Sequence, residues 1–224
     1  MFYGCSSLGT ASVTAPGGGF KSWGRMFNGC SSMTSATVAM RSLTNDLGAA
    51  TSMFSGCTSL ASVTLQLQDS PVYITNATAM FYNCSSLTTI TKSPSTAMID
   101  MTYCYSASQM FDGCASLTAI PTFQNTKSVT NWSKIFNGCA AIKNIPANLD
   151  LSGASSSGSL QNFIAGCTSL TAGGMNRVLQ TLATWSGTSN KTLAYVGFSS
   201  TQATTCTGLS NWAALEAAGW TTGY

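Results

Sequence analysis

Histidine is absent from this chain of 224 residues, and charge is scarce: six acids and nine bases make up 7% of it, against about a quarter in an ordinary globular domain. The commonest neutral-pH base and metal ligand is therefore missing. The net charge of +3 is small and scattered, which gives no electrostatic footprint for nucleic acid or for an anionic membrane. No run of about 18 apolar residues occurs, so no segment is expected to insert in a membrane. No charged-then-apolar leader opens the chain. What is present is 44% hydrophobic residues, enough for a sizeable core, under a surface left to Ser, Thr, Asn and Gly. An uncharged, hydrogen-bonding surface of this kind suits an extracellular or particle-bound protein.

The dominant positive feature is self-similarity. MFYGCSSL at residue 1 returns as MFNGCSSM at 26, MFSGCTSL at 53, MFYNCSSL at 80 and MFDGCASL at 110, then drifts to IFNGCAAI and FIAGCTSL. Aligned on Cys5, Cys30, Cys57, Cys84, Cys114, Cys139 and Cys167, the seven copies are 25, 27, 27, 30, 25 and 28 residues apart. The first two positions keep only apolarity (Met, Ile135, Phe163; then Phe, Ile164), so they face a core. The residue before the cysteine is glycine except at Asn83. Glycine and asparagine share tolerance of positive φ, which predicts a left-handed turn residue there.

After each cysteine come Ser or Ala, then an apolar residue (Leu8, Met33, Leu60, Leu87, Leu117, Ile142, Leu170). A second apolar residue follows three or five places on (Val13, Val38, Val63, Ile90, Ile120, Ile145). Stretches such as SLTTITK, SLTAIPT and SLASVTLQL thus read as short strands after a tight turn. Val129, Trp132, Ile135 and Phe136 carry helical spacing, predicting one or two turns of α- or 3-10 helix before each Met-Phe. No single repeat can bury its own apolar edge. The expectation is an α/β solenoid, its strands forming a parallel sheet about 4.8 Å apart per rung.

The pattern M-F-x-G-C-[ST]-S-L-x-x-[IV] resembles the BspA-type leucine-rich repeats of bacterial surface proteins, some protist surface proteins and phage tail and fibre proteins, over residues 1–172. The resemblance implies a non-enzymatic module and brings no catalytic motif. Residues 173–224 lose the period and read as a C-terminal cap: an amphipathic helix through Met175, Val178, Leu179 and Leu182, a strand at TLAYVGF, a polar loop from Ser199 to Gly208, and a helix in LSNWAALEAAG ending near Gly219. The Gly219–Trp220 ending also looks like tails of leucine-rich phage fibre proteins. The first repeat starts at its second half with no cap, so an extension of the chain or another subunit is expected to cover it.

The cysteines admit four readings. Single cysteines about 27 residues apart, without histidine, do not make a zinc site. A nucleophilic thiol wants a basic partner, which is lacking. Parallel side-chain vectors hold stacked cysteines apart, leaving a disulfide open only for the off-register Cys104 or Cys206. The favoured reading is a ladder of small buried side chains. The serines lie in no G-x-S-x-G or S-x-x-K context. Asp46, Asp69, Asp100, Asp112, Asp150 and Glu216 never cluster, leaving calcium only a site assembled between neighbouring repeats. Gly17–Gly19 lacks the Lys-Ser/Thr of a phosphate loop and reads as a bulge. The sequons at Asn76, Asn83, Asn131 and Asn190 carry no assigned role, and no cofactor is expected.

Binding is left to the surface. The longest repeat holds MIDMTYCYSASQ, where Tyr103 and Tyr105 flank Cys104. With Tyr82, which shares a repeat position with Tyr3, Asn28, Ser55, Asp112 and Asn137 that is expected to face solvent, they are the candidate ligand-contacting residues. The competing reading packs Tyr103 and Tyr105 against the solenoid side. The expected partners are a host-surface glycan or protein and neighbouring subunits of a virion (tail fibre, tail tip or capsid decoration). A bacterial cell-surface adhesin is the alternative.

Overall fold

The structure, a computed structural model, describes residues 1–14, 22–40, 48–67, 74–93, 98–154, 156 and 158–224. The Gly17–Gly19 bulge, Asp46 and Asp69 lie outside the described residues. In chain order the elements are β1 (Thr10–Thr14), β2 (Ser35–Met40), β3 (Gly48–Ala49), β4 (Ser62–Leu67), β5 (Ile74–Asn76), β6 (Thr89–Ser93), β7 (Ile99–Asp100), β8 (Phe123–Gln124), a 3-10 turn (Thr126–Ser128), α1 (Ala172–Leu182), α2 (Leu193–Val196), α3 (Ser200–Thr207) and α4 (Trp212–Ala217).

The strands stack as a parallel solenoid in the order β1-β2-β4-β6, with two-stranded pairs β3-β5 and β7-β8. One register unites the two apolar spacings of the repeats: Ala11, Ala36, Val63 and Ile90 form one column, and Val13, Val38, Leu65 and Lys92 the next. Between them the outward columns Thr10–Ser35–Ser62–Thr89 and Ser12–Thr37–Thr64–Thr91 carry hydroxyls. The sheet ends at β6. The strands expected at SLTAIPT and around Ile145 do not form, because Pro121 and Pro146, seven places past their cysteines like Thr91, have no N–H to give a ladder.

The helical turns expected before each Met-Phe are replaced by interlocked four-residue turns. Backbone N–H groups alternate in direction. Arg25, Phe27 and Gly29 donate to Thr51, Met53 and Ser55 of the next coil at 2.8–2.9 Å, while Met26, Asn28 and Cys30 donate three residues back, to Trp23, Arg25 and Phe27, at 3.1–3.2 Å. Every second amide is thus spent between coils, which a helix would not allow, and the coils are cross-linked through the backbone. The geometry needs left-handed backbone twice per coil. Gly29, Gly56, Asn83, Gly113, Gly138 and Gly166 meet the expectation, Asn83 at φ 56°. The second place, four residues earlier, is taken by Arg25, Ser52, Ala79, Gln109, Lys134 and Asn162, each with φ between 53° and 58°.

Inside, the second motif position builds a column of rings. Phe2, Phe27, Phe54, Phe81, Phe111 and Phe136 stack at centroid distances of 5.3–6.0 Å with interplanar angles of 12° or less. The column turns edge-on at Phe163, where Ile164 holds the second position. Each such ring contributes about 1.5–3 kcal/mol by leaving water.

The cap is helical throughout. α1 buries Met175, Val178, Leu179 and Leu182 as expected and is capped by the Thr171 hydroxyl accepting from the Gly174 N–H. TLAYVGF is not a strand: α2 begins at the Thr192 cap and ends at Gly197, φ 104°. The 199–208 stretch is not a loop but α3, opened by a reciprocal capping box between Ser199 and Gln202. α2 takes the place of the next coil, since Asn162 and Ile164 donate to the Tyr195 and Val196 carbonyls. The Gln202 amide adds a bond to the Cys167 carbonyl at 2.9 Å. Trp220 is buried against Trp185, centroids 5.5 Å apart.

Candidate functional site

The sharp turn and the strand that follows it place each motif cysteine beneath the backbone of the coil before it. The thiols of Cys30, Cys57, Cys84, Cys114, Cys139 and Cys167 donate to the carbonyls of Phe2, Phe27, Phe54, Phe81, Phe111 and Phe136 at 3.0–3.1 Å. The same carbonyls accept the N–H three residues on: Phe54 O, for example, takes Cys57 N and Cys84 Sγ. Cys5 departs from the buried ladder, its thiol being exposed. Burial pushes the Cys57 and Cys167 thiols up to about 12, and those of Cys84, Cys114 and Cys139 above the ordinary thiol value as well. A thiol held protonated is neither a nucleophile nor a metal ligand.

Cys104 and Cys206 are free thiols too, so the disulfide option is not realised at either. Cys104 is buried and donates to the Ser106 carbonyl at 3.3 Å, while Cys206 is buried on α3 in the cap.

Asp100, Asp112 and Asp150 are each tied up individually. Burial by itself would raise the Asp100 carboxyl, but hydrogen bonds from Thr102, Asn125 and Gln124 outweigh it and hold it below the usual carboxylate range. Asp112 is buried and accepts from Asn137 Nδ2 at 2.7 Å and Gln109 Nε2 at 3.2 Å. The repeat position expected to face solvent is therefore only half open: Tyr3 is exposed, Asn28, Ser55, Tyr82 and Asn137 are half-buried, and Asp112 is inside. Among the described residues no three His, Cys, Asp or Glu side chains converge on a common point, and no helix is long and apolar enough to cross a membrane.

The tyrosines divide into two strips. Tyr103 and Tyr105 are 51% and 55% exposed on either side of buried Cys104, whose N–H closes a turn onto the Met101 carbonyl at 2.9 Å. Tyr105 is anchored: its N–H donates to Thr75 O at 3.0 Å, its carbonyl accepts from Thr130, and its hydroxyl takes Asn76 Nδ2 at 2.6 Å. Met98, 42% exposed, lies in the same coil. Tyr82 belongs to the turn strip instead, its carbonyl accepting from Gly56. The strip beside Tyr105 shows a regularity that composition hid: Ser22, Ala49, Asn76, Ser106 and Asn131 align in successive coils, and at all but Ala49 the side-chain oxygen accepts the N–H two residues on. The Asn/Ser-x-[ST/G] spacing was its only signal.

A cleft of about 190 Å3 opens where the last coil meets α1, lined by Ala147, Asn148, Leu149, Arg177, Gln180, Thr181 and Thr184. Sequence reasoning missed it, since its two walls lie about 30 residues apart in regions read separately.

The family described as BspA type leucine rich repeat region matches in six copies over residues 1–110. A second family, described as a Mycoplasma protein of unknown function, DUF285, matches residues 75–172. No curated protein sequence matches the chain. Among solved structures, a leucine rich cell surface protein from Faecalibacterium prausnitzii A2-165 superposes with a TM-score of 0.37 at 20% identity, over 73% of this chain and 46% of that one. The present chain thus corresponds to less than half of that protein's length.

Proposed function

For a chain whose first 110 residues are BspA-type leucine-rich repeats, we propose a non-enzymatic adhesion module that works on a surface, its ligand a host-surface glycan or protein. The observation that carries the reading is the Tyr103–Tyr105 pair. Two half-exposed rings are held in place by a buried residue between them and by the Asn76 bond. A pre-ordered aromatic pair on a polar, uncharged strip gives contact area at little entropic cost. The buried ladder thiols, and Asp100, Asp112 and Asp150 with their own hydrogen-bond donors, fit a role in building the coils rather than in chemistry. The rigid ladder of inter-coil amides serves to carry that strip at a distance.

The carrier is the finer part of the proposal. A bacterial cell-surface adhesin fits the repeat family. The virion reading rests on the Gly219–Trp220 ending, whose tryptophan packs inside the cap. Antibody labelling of intact cells against purified particles distinguishes the two. For the binding itself, a glycan array and a whole-cell adhesion assay comparing wild type with Tyr103→Ala/Tyr105→Ala is the test. Loss of adhesion with an unchanged melting temperature is expected, and equal adhesion removes the tyrosine pair as the contact.

A further inference from the structure

The cleft between the last coil and α1 has the composition of a binding site and no use in the reading above. Arg177, Thr181 and Thr184 follow one another at helical spacings of four and three, so they line one wall. That wall is locked to the solenoid: the Thr184 hydroxyl donates to Thr181 O at 2.8 Å and accepts the Leu151 N–H at 2.7 Å. The opposite wall is Ala147, Asn148 and Leu149, with Asn148 in the left-handed region at φ 69°.

Three polar side chains of this cleft, Arg177, Thr181 and Asn148, supply its chemistry. Arg177 is half-buried, and among the described residues its guanidinium meets no carboxylate or carbonyl. Thr181 is 5% exposed, and its Oγ1, unlike those of Thr204 and Thr205 on α3, makes no bond back to its own helix. The Asn148 side chain is exposed. The Thr181 hydroxyl lies one helical turn from Arg177 on the same wall of the cleft.

We propose that this cleft binds the carboxylate of a single acidic monosaccharide. A guanidinium fork matches a carboxylate in two parallel bonds. The Thr181 hydroxyl, Asn148 and Gln180 then meet ring hydroxyls as donors and acceptors, and Ala147 and Leu149 give the apolar floor a sugar's C–H face needs. A volume of about 190 Å3 exceeds what a bare carboxylate fills. The choice of a saccharide rests on the adhesion reading, and the walls, fixed before the ligand arrives, spare it the ordering cost.

The test is titration of the full chain, followed by NMR or calorimetry, with methyl glucuronide and N-acetylneuraminic acid as probes, and with methyl glucoside and acetate as controls. Saturable binding of at least one acidic sugar, absent with the neutral sugar and weaker by about tenfold or more in Arg177→Gln and Thr181→Val, is the expected result. Both substitutions keep helix-compatible stems and remove no internal bond, so melting temperatures should match wild type. Binding unaffected by Arg177→Gln, no binding of either acidic sugar, or acetate as effective as the acidic sugars would overturn the proposal. Cell adhesion measured on the same proteins separates the two ideas. Adhesion that survives while neither acidic sugar binds sinks the cleft alone, whereas wild-type protein that binds an acidic sugar but adheres to no cell sinks the adhesion reading.

Discussion

The thiol of Cys84 donates to the carbonyl oxygen of Phe54, one coil earlier, at 3.1 Å. The residue type at the centre of the motif thereby acquires a second reason. It must be small and apolar enough to lie under a turn, and it supplies a weak donor to a carbonyl that already accepts a backbone amide.

A serine at this place inherits the acceptor. Cys84→Ser should therefore cost no more than Cys84→Ala, which loses both the bond and part of the buried volume, about 1–3 kcal/mol. Urea unfolding of the two variants checks the order. A serine variant clearly less stable than the alanine variant would mean that the S–H bond to Phe54 is not made.

Alkaline pH should destabilise the fold steeply. Cys57, Cys167 and Cys206 are pushed up to about 12 by burial, and Cys84, Cys104, Cys114 and Cys139 are raised in the same direction. Below the unfolded-chain value of about 9 both states hold their protons, and this contribution to stability is complete. As pH rises past it, the unfolded state ionises first and stability falls, by up to about 1.4 kcal/mol per pH unit for each such thiol, until the folded value is reached. Denaturant midpoints between pH 7 and 10.5 should be flat and then drop. A midpoint unchanged at pH 10 would contradict the buried ladder.

Thiol accessibility gives an independent check. At pH 8 a colorimetric thiol reagent should react promptly with one thiol of the nine, Cys5, and with the others only on unfolding. Cys5→Ser should abolish the fast phase.

The cap seats on the last coil through Gly197. A Cβ there would lie 2.6 Å from Ala165 N and 2.7 Å from Ala165 Cβ, and the backbone is at φ 104°. Gly197→Ala should cost about 2–4 kcal/mol from strain and overlap together. The environment of Trp185 and Trp220, read by fluorescence, should melt before the solenoid does.

The left-handed residues without glycine are places to gain stability. Lys134 sits at φ 56°, where an L side chain costs about 1–2 kcal/mol. Lys134→Gly recovers part of that, less the added freedom of the unfolded chain, and should raise stability by about 0.5–1 kcal/mol. A lower melting temperature would show that the Lys134 side chain contributes packing.

Much of this architecture was legible in the chain before any coordinates. Seven registered cysteines dictated stacking, and Asn83 among the glycines exposed a demand on the backbone, because only those two residue types share ease at positive φ. The second left-handed position was invisible, since Arg, Ser, Ala, Gln, Lys and Asn share no such property. The amide ladder imposes the conformation there from outside. Likewise Ser199 and Gln202 announced a helix start that the polarity of the stretch concealed, and Thr192 and Gly197 bracketed a helix too short to show a period.

The sequence alone determined that the chain would coil and which side chains would line the inside, because these follow from residue type repeated at fixed spacing, and that charge is scarce and histidine absent. Only the tertiary structure decided how the coils bind one another through alternating amides, that Tyr103 and Tyr105 stand apart from Tyr82, and that Arg177 faces Asn148 across a cleft. Those relations join residues about 20 to 30 positions apart, and they exist only once the coils stack and the cap closes on the last of them.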